Sequence, residues 1–397
     1  LSENGECGLV IPSGIYTDLG TKQLREMLFS QTSLGKLFSL SNERFIFEGV
    51  DHRFKFCLLD FQKGNKTQSF QATFRIDPRE AIRKEDLQRF LHDESELINI
   101  NVNLIRQLSP DSLSVMEFKT DLDIVIAEKM SRFPLLGEEI QDTWNLKLTQ
   151  EFNMTTDSHL FKTEPGKGRL PLYEGKMIHQ FNHKFAEPRY WVDEEEGRKA
   201  VLGKNGVDKG QILDYQCYRT GFRKIASNTN ERTLIATIIP PIFHAENFQS
   251  ILLCNSAISH PPNYKQCLYL VGIWNSFLVD YSIRGRVSAN VNFFYMYQTC
   301  IPRLTEKDEY FNEIVERAAK LICTTAEYDE LAKEVGLESH KNGVTDERER
   351  GKIRAELDGI IAHLYGLTES EFSHILSTFP IVAEEVKNAA LNAYREI

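Results

Sequence analysis

Basic side chains two positions apart on a strand can hold a phosphate or a guanine, and Tyr218-Arg219-Thr220-Gly221-Phe222-Arg223-Lys224 has that spacing. Strand alternation puts Arg219, Gly221 and Arg223 on one face and Phe222 on the other. A guanidinium there can grip guanine in bidentate fashion or pair with a phosphate, with Lys224 beside it. The competing reading is a solvated edge strand. Arg284-Gly285-Arg286 is a second group of this kind, and its glycine permits close approach of a backbone. Asn290 and Asn292 follow it at strand spacing. Lys176, His179 and Arg189 form a third, set against the plain alternative of solvated surface cations.

A different chemistry is spelled by Pro110-Asp111 followed by Glu117-Phe118-Lys119, the letters of a PD…ExK magnesium nuclease. There Asp111 and Glu117 would hold the metal and Lys119 would assist the attacking water. The spacing is short for acids that normally sit on separate strands, and Pro110 reads as a turn. The seven cysteines (Cys7, Cys57, Cys217, Cys254, Cys267, Cys300 and Cys323) are scattered. They read as reduced, mostly buried thiols rather than a disulfide framework or a zinc site.

Charge is distributed unevenly. The net charge is −10, yet residues 162–303 carry 18 Lys and Arg against 12 Asp and Glu. Residues 305–397 carry 11 against 20. A basic middle with an acidic tail is what a localised polyanion-binding surface produces. A protein-interaction module built on the acidic tail is the alternative that the same asymmetry allows. No apolar run approaches the roughly 18 residues of a membrane span, so no membrane partner is expected and a cytoplasmic location is. Leu1-Ser2-Glu3-Asn4 carries neither a signal-peptide pattern nor an initiator Met, and the chain reads as a stretch of a longer protein.

The elements that must position these residues suggest an α+β chain in four parts. Residues 1–76 read as the end of an α/β sheet, with strands at Cys7–Ile11, Phe45–Phe47 and Phe54–Phe61 and a helix through Leu24 and Leu28. One helix and three strands cannot close such a sheet, which places its remaining strands upstream. Residues 77–137 read as a helical connector, with helices at Ala81–His92 and Asp121–Phe133. Residues 138–304 are β-rich, with strands at Thr143–Phe152, Pro171–His179, Leu213–Ala226, Thr233–Ile239 and Gln249–Asn255, and one long helix at Tyr264–Tyr281. Residues 305–397 form a helical tail, in which Thr368 with Glu371 is a capping box and Gly366 ends the preceding helix.

Several stretches, in this order, resemble one known family. Pro171-Leu172-Tyr173-Glu174-Gly175-Lys176-Met177-Ile178-His179-Gln180-Phe181, continuing through Phe185 to Arg189-Tyr190-Trp191-Val192, resembles the opening of the target-recognition domain of gamma-class adenine-N6 DNA methyltransferases. Within that class the likeness is to type IIG restriction–modification enzymes, which join methylation and cleavage in one polypeptide. Gly8-Leu9-Val10-Ile11-Pro12-Ser13 resembles the strand after the catalytic motif. Phe47-Glu48-Gly49-Val50-Asp51 with Phe54-Lys55-Phe56 resembles the last catalytic-domain hairpin. Trp274-Asn275-Ser276 through Ile283-Arg284-Gly285-Arg286 resembles the close of the recognition domain, and Glu356-Leu357-Asp358 through Leu364-Tyr365-Gly366-Leu367-Thr368 the helical tail.

The resemblance implies the truncated end of a Rossmann-like methyltransferase sheet, a recognition domain for double-stranded DNA, and a missing N-terminal catalytic half of the same polypeptide. It makes Phe47 the candidate for stacking on an extruded base, with a buried core phenylalanine as the alternative. It also implies S-adenosylmethionine for the parent enzyme but none for this chain. The glycine-rich cofactor loop and the Asn/Asp-Pro-Pro-aromatic motif are missing from the sequence. Ile239-Pro240-Pro241-Ile242 and His260-Pro261-Pro262-Asn263-Tyr264 do not replace the latter.

Overall fold

In a computed structural model, residues 2–204, 206–227, 230–253, 258–287 and 289–397 are described; Cys254 and the end of the expected strand at Gln249–Asn255 lie outside them. The chain is α+β and divides into two compact units, Leu1–Arg132 and Phe133–Ile397. Among the described residues no helix is long and apolar enough to cross a membrane.

The first unit is built on a five-stranded sheet of β1 (Glu6–Pro12), β2 (Thr32–Ser41), β3 (Lys55–Lys63), β4 (Ser69–Arg75) and β5 (Ile98–Asn101), in the order β1-β3-β2-β4-β5. All pairings are antiparallel except β2 with β4. The helix Lys22–Gln31 lies where the spacing of Leu24 and Leu28 puts it. Its Arg25 is buried, and the guanidinium is satisfied by the carbonyls of Ile15, Asp18 and Ser112 and the Thr21 hydroxyl.

The expected strand at Phe45–Phe47 is not one. The strand lies upstream as β2, and the chain then turns through a short 3-10 segment at Asn42–Arg44 into a loop. The expected helix at Ala81–His92 contracts to Leu87–Leu91, because Pro78 and Asp77 set a separate capped turn before it.

In the second unit, β6 (Leu148–Thr149), β9 (Arg219–Arg223), β10 (Ala236–Ile239) and β12 (Phe248–Ile251) form an antiparallel sheet in the order β10-β9-β12-β6. A smaller sheet is ordered β11-β7-β8, from β7 (Arg169–Tyr173), β8 (Trp191–Asp193) and β11 (Phe243–His244). The apolar run at Tyr264–Tyr281 makes two helices rather than one, Tyr264–Trp274 and Phe277–Arg284. Asn275 causes the break: its carboxamide bonds both the N–H and the carbonyl of Ala236 on β10, at 2.9 Å each. Ser276 then caps the second helix.

The tail is helical at Phe311–Ile322, Asp329–Glu334, Glu347–Leu364, Glu369–Ser377 and Glu384–Glu396. Thr368 and Glu371 exchange both bonds of the expected capping box. The helices Glu347–Leu364 and Glu384–Glu396 touch at Gly359, where a Cβ would lie 2.8 Å from the Tyr394 backbone nitrogen. Buried Cys57, Cys267 and Cys323 have thiols pushed up to about 12 by burial.

Asp358 shows how closely the tail is fitted. It is buried on Glu347–Leu364 and accepts a hydrogen bond of 2.8 Å from the Phe277 N–H at the start of another helix. Burial, with nearby Asp280, outweighs Arg232 and pushes its carboxyl up to about 6. A raised acid binds its proton more tightly folded than unfolded. Its contribution is therefore complete below the ordinary carboxyl range and is lost as pH rises through about 6. Asp358→Asn keeps the acceptor and removes the titration. Denaturant unfolding should show the variant gaining on the parent between pH 4 and pH 8, by on the order of 2 kcal/mol. An unchanged difference across that range would refute the assignment.

Candidate nucleic-acid interface

The strand that carries Arg219 and Arg223 is not at an edge: β9 is flanked by β10 and β12. Alternation correctly sets Phe222 apart, against Trp274 with ring centroids 5.7 Å apart, but the opposite face is covered as well. Arg219 is fully buried. It pairs with Glu151 Oε1 at 2.5 Å and donates to the Ile242 carbonyl. Glu151 Oε2 in turn accepts the His244 N–H at 2.9 Å. The expected groove contact from Arg219 is thus replaced by an internal ion pair.

Arg284 is also buried and donates to the Asn230 and Glu231 carbonyls, its guanidinium 4.6 Å from the Phe379 ring centroid. Arg286 donates to the Ser282 carbonyl and the Gln298 side chain. The Arg284-Gly285-Arg286 group therefore closes a helix end in this structure instead of presenting two cations outward.

The third group of sequence candidates does gather on the surface. After β7 the chain makes a 3-10 turn at Gly175–Met177. A side chain is excluded at Gly175, where a Cβ would lie 2.3 Å from the Asn247 carbonyl oxygen. Its N–H bonds the Asn247 side chain at 2.8 Å. From beneath, Arg223 donates to the carbonyls of Gly175 at 2.9 Å and Ile178 at 2.7 Å, so this arginine holds the turn.

Lys176 and Arg189 are about half exposed, at 53% and 51% of their side-chain surface. Both are drawn to one buried carboxylate, Glu174, at 3.4 and 3.0 Å. The Arg189 guanidinium lies 4.5 Å from the Tyr190 ring centroid. His179 sits 4.9 Å from the exposed Phe185 ring. Burial, helped by Arg223, lowers the His179 pKa, so its imidazole is neutral near pH 7. The result is a braced turn with two cations, an aromatic ring and a neutral imidazole around it. Lys224, on the other side of Asn247, pairs with Glu246 at 3.6 Å. Glu174 and Asn247, which organise this surface, were not singled out in the sequence. The Glu-Gly step before Lys176 is the only local trace of it.

The first unit presents a separate feature. Phe45, Phe47 and Phe54 are exposed on the loop between β2 and β3. Fully buried Asn42 pins this loop from inside. Its Nδ2 donates to the Phe47 and Val50 carbonyls and its Oδ1 accepts the Phe47 N–H. Phe47 rests edge-on against Phe56, with centroids 4.8 Å apart, and remains 39% exposed. It is neither a core residue nor part of a strand.

The nuclease letters are not assembled. Glu117 accepts the Tyr16 hydroxyl at 2.8 Å, and Lys119 pairs with Glu80 at 3.0 Å. Among the described residues no group of three or more His, Cys, Asp or Glu is arranged to hold a metal ion. The acidic tail is fastened to the β-rich segment before it. Tyr328 donates to the Ile238 carbonyl, Tyr365 to the Cys300 carbonyl, and His183 bonds Glu327.

No family model and no curated protein matches the chain. Among solved structures, the type IIG restriction endonuclease BpuSI is similar over 100% of this chain and 48% of its own, at 14% identity and a TM-score of 0.38. The type IIL restriction–modification enzyme MmeI, in complex with DNA, is similar over 98% and 50%, at 10% identity and 0.43. The DrdV–DNA complex is similar over 82% and 38%, at 8% identity and 0.40. The chain thus spans half or less of the length of these proteins.

If Arg219 serves the fold, its removal should be felt as stability. Arg219→Ala leaves Glu151 buried and unpaired and should cost about 3–5 kcal/mol in denaturant unfolding. Arg219→Met with Glu151→Gln should recover part of that loss. A variant as stable as the parent would contradict the structural role.

Proposed function

We propose that this chain is the DNA-recognition part of a restriction–modification enzyme, an adenine-N6 methyltransferase of the type IIG kind. The observation that carries this reading is the Gly175–Arg189 surface, where exposed Lys176, Phe185 and Arg189 and part-buried His179 surround a braced turn. It coincides with the stretch whose sequence resembles the opening of the family's recognition domain. Half-exposed cations beside an aromatic ring suit phosphate contact with adjoining bases.

The Phe45–Phe54 loop supports the same reading from the first unit. Extruding a base costs a few kcal/mol, and an exposed ring such as Phe47 can offset part of that by stacking. The proposed partner for the first unit is the N-terminal catalytic half of the same polypeptide. In support, β1 is an edge strand exposed along almost its whole length, with Leu9 and Val10 both open. An apolar edge of this kind is a ready template for further strands.

S-adenosylmethionine belongs to that other half in this reading. Neither proline pair here supplies the residue that would hold the target amine. Asn263, the polar residue nearest one pair, is spent capping the helix Tyr264–Trp274, accepting the Gln266 N–H at 2.9 Å. Double-stranded DNA is the proposed partner and the cytoplasm the proposed location.

Duplex binding measured across a salt series tests the reading. The chain should bind with an affinity that falls steeply with salt. Lys176→Ala/Arg189→Ala should weaken binding to all sequences and reduce the slope of log K against log salt by about 2. Binding that is absent at low salt, or a slope unchanged in the double variant, would overturn it.

A further inference from the structure

A concavity of the Phe133–Ile397 unit lies beside the four-stranded sheet. It is a groove of about 470 Å³ running past Gln150, Lys224, Gln249 and Asn292–Phe294. Its lining holds three carboxamides, two phenylalanines, Leu148, Thr149 and one lysine already engaged by Glu246, with no carboxylate. Gln249 is 3% exposed, and its Oε1 makes no hydrogen bond with any described residue. A buried acceptor left without a donor costs about 1–3 kcal/mol, so a site that keeps one gains by binding a donor there.

The groove and the basic turn share a support. Asn247 accepts the Lys224 N–H on its carbonyl and the Gly175 N–H on its side chain. Lys176, next to Gly175, and Gln249, two residues after Asn247, are thus tied to the same residue.

A carboxamide offers one donor and one acceptor side by side. In the major groove that pair matches adenine, which presents the N7 acceptor next to the N6 amine. Guanine presents two acceptors and calls for a cation instead. The thymine opposite adenine carries a methyl group that packs on apolar side chains such as phenylalanine.

We propose that this groove reads an A·T base pair from the major-groove side. The Gln249 and Asn292 carboxamides take the adenine edge, and Phe293 and Phe294 take the thymine methyl. This rests on the DNA-recognition reading above and adds the base pair and the residues that choose it.

The test is selection of duplexes from a random pool by the 397-residue chain at about 100 mM salt, followed by modified bases in the enriched motif. The expected result is an A·T position where 7-deazaadenine for adenine, or uracil for thymine, lowers affinity roughly 5- to 100-fold. Asn292→Ala should erase the 7-deazaadenine penalty at that position and leave the others unchanged. Asn292 is exposed and its side chain makes no capping bond, so this variant tests the idea even if Gln249→Met fails to fold. An enriched motif without such a position, or penalties unaltered in Asn292→Ala, overturns the groove assignment. Salt-sensitive binding without enrichment also overturns it but leaves DNA binding standing. No binding at any salt overturns both.

Discussion

A guanidinium leaves water at a cost unless its donors find acceptors, and in the larger unit Glu151 and the Ile242 carbonyl take the two terminal nitrogens of buried Arg219, leaving only its Nε without a partner among the described residues. Arg219 sits on β9 in the four-stranded sheet. Glu151, just before the bridge between Phe152 and Ala245, also takes the His244 N–H on β11 of the smaller sheet. One buried carboxylate thereby fastens the two sheets together. Such a pair adds little net stability over apolar residues of the same shape, but neither partner can be removed alone without leaving a buried charge. The sheets are consequently committed to one relative placement, and the turns at their ends inherit it.

The same rule decides which cations remain for a ligand. Arg223 is turned toward the carbonyls of Gly175 and Ile178, where it holds the turn that carries Lys176 and that Arg189 reaches through Glu174. Glu174 restrains those two from behind. Their side-chain entropy is thus partly lost within the chain itself. In the smaller unit Asn42 plays a corresponding part, using one carboxamide to hold an aromatic loop that has no strand pairing of its own. In both places a buried polar residue fixes an exposed surface.

The helical tail adds a further layer. Asp358 caps a helix begun at Phe277, while Tyr328 and Tyr365 donate to backbone carbonyls of the β-rich segment. The acidic character of residues 305–397 is therefore compatible with a packed structural element, because most of its carboxylates are exposed and the buried Asp358 and Glu371 accept backbone N–H groups. The charge asymmetry of the sequence reflects this division as much as any binding surface.

Local patterns were legible. The tail helices, the Thr368–Glu371 box, the strands β1, β3 and β10, and the α+β mixture all follow from periodicity and capping, which act over a few residues. The surface at Lys176, His179 and Arg189 was legible as a motif. What sequence could not supply was anything set by partners far along the chain. Alternation gave the faces of β9, but only β11 and Glu151 decide that the arginine face is buried. Phe45–Phe47 has the composition of a strand, yet Asn42 holds it as a loop. The apolar run at Tyr264–Tyr281 reads as one helix, yet Asn275 leaves it to clamp Ala236 of β10. The sequence by itself determined which segments are helical or extended and which residues are charged. Tertiary structure alone decided which of those charges meet solvent, because a side chain's exposure depends on what packs over it and not on its neighbours in the chain.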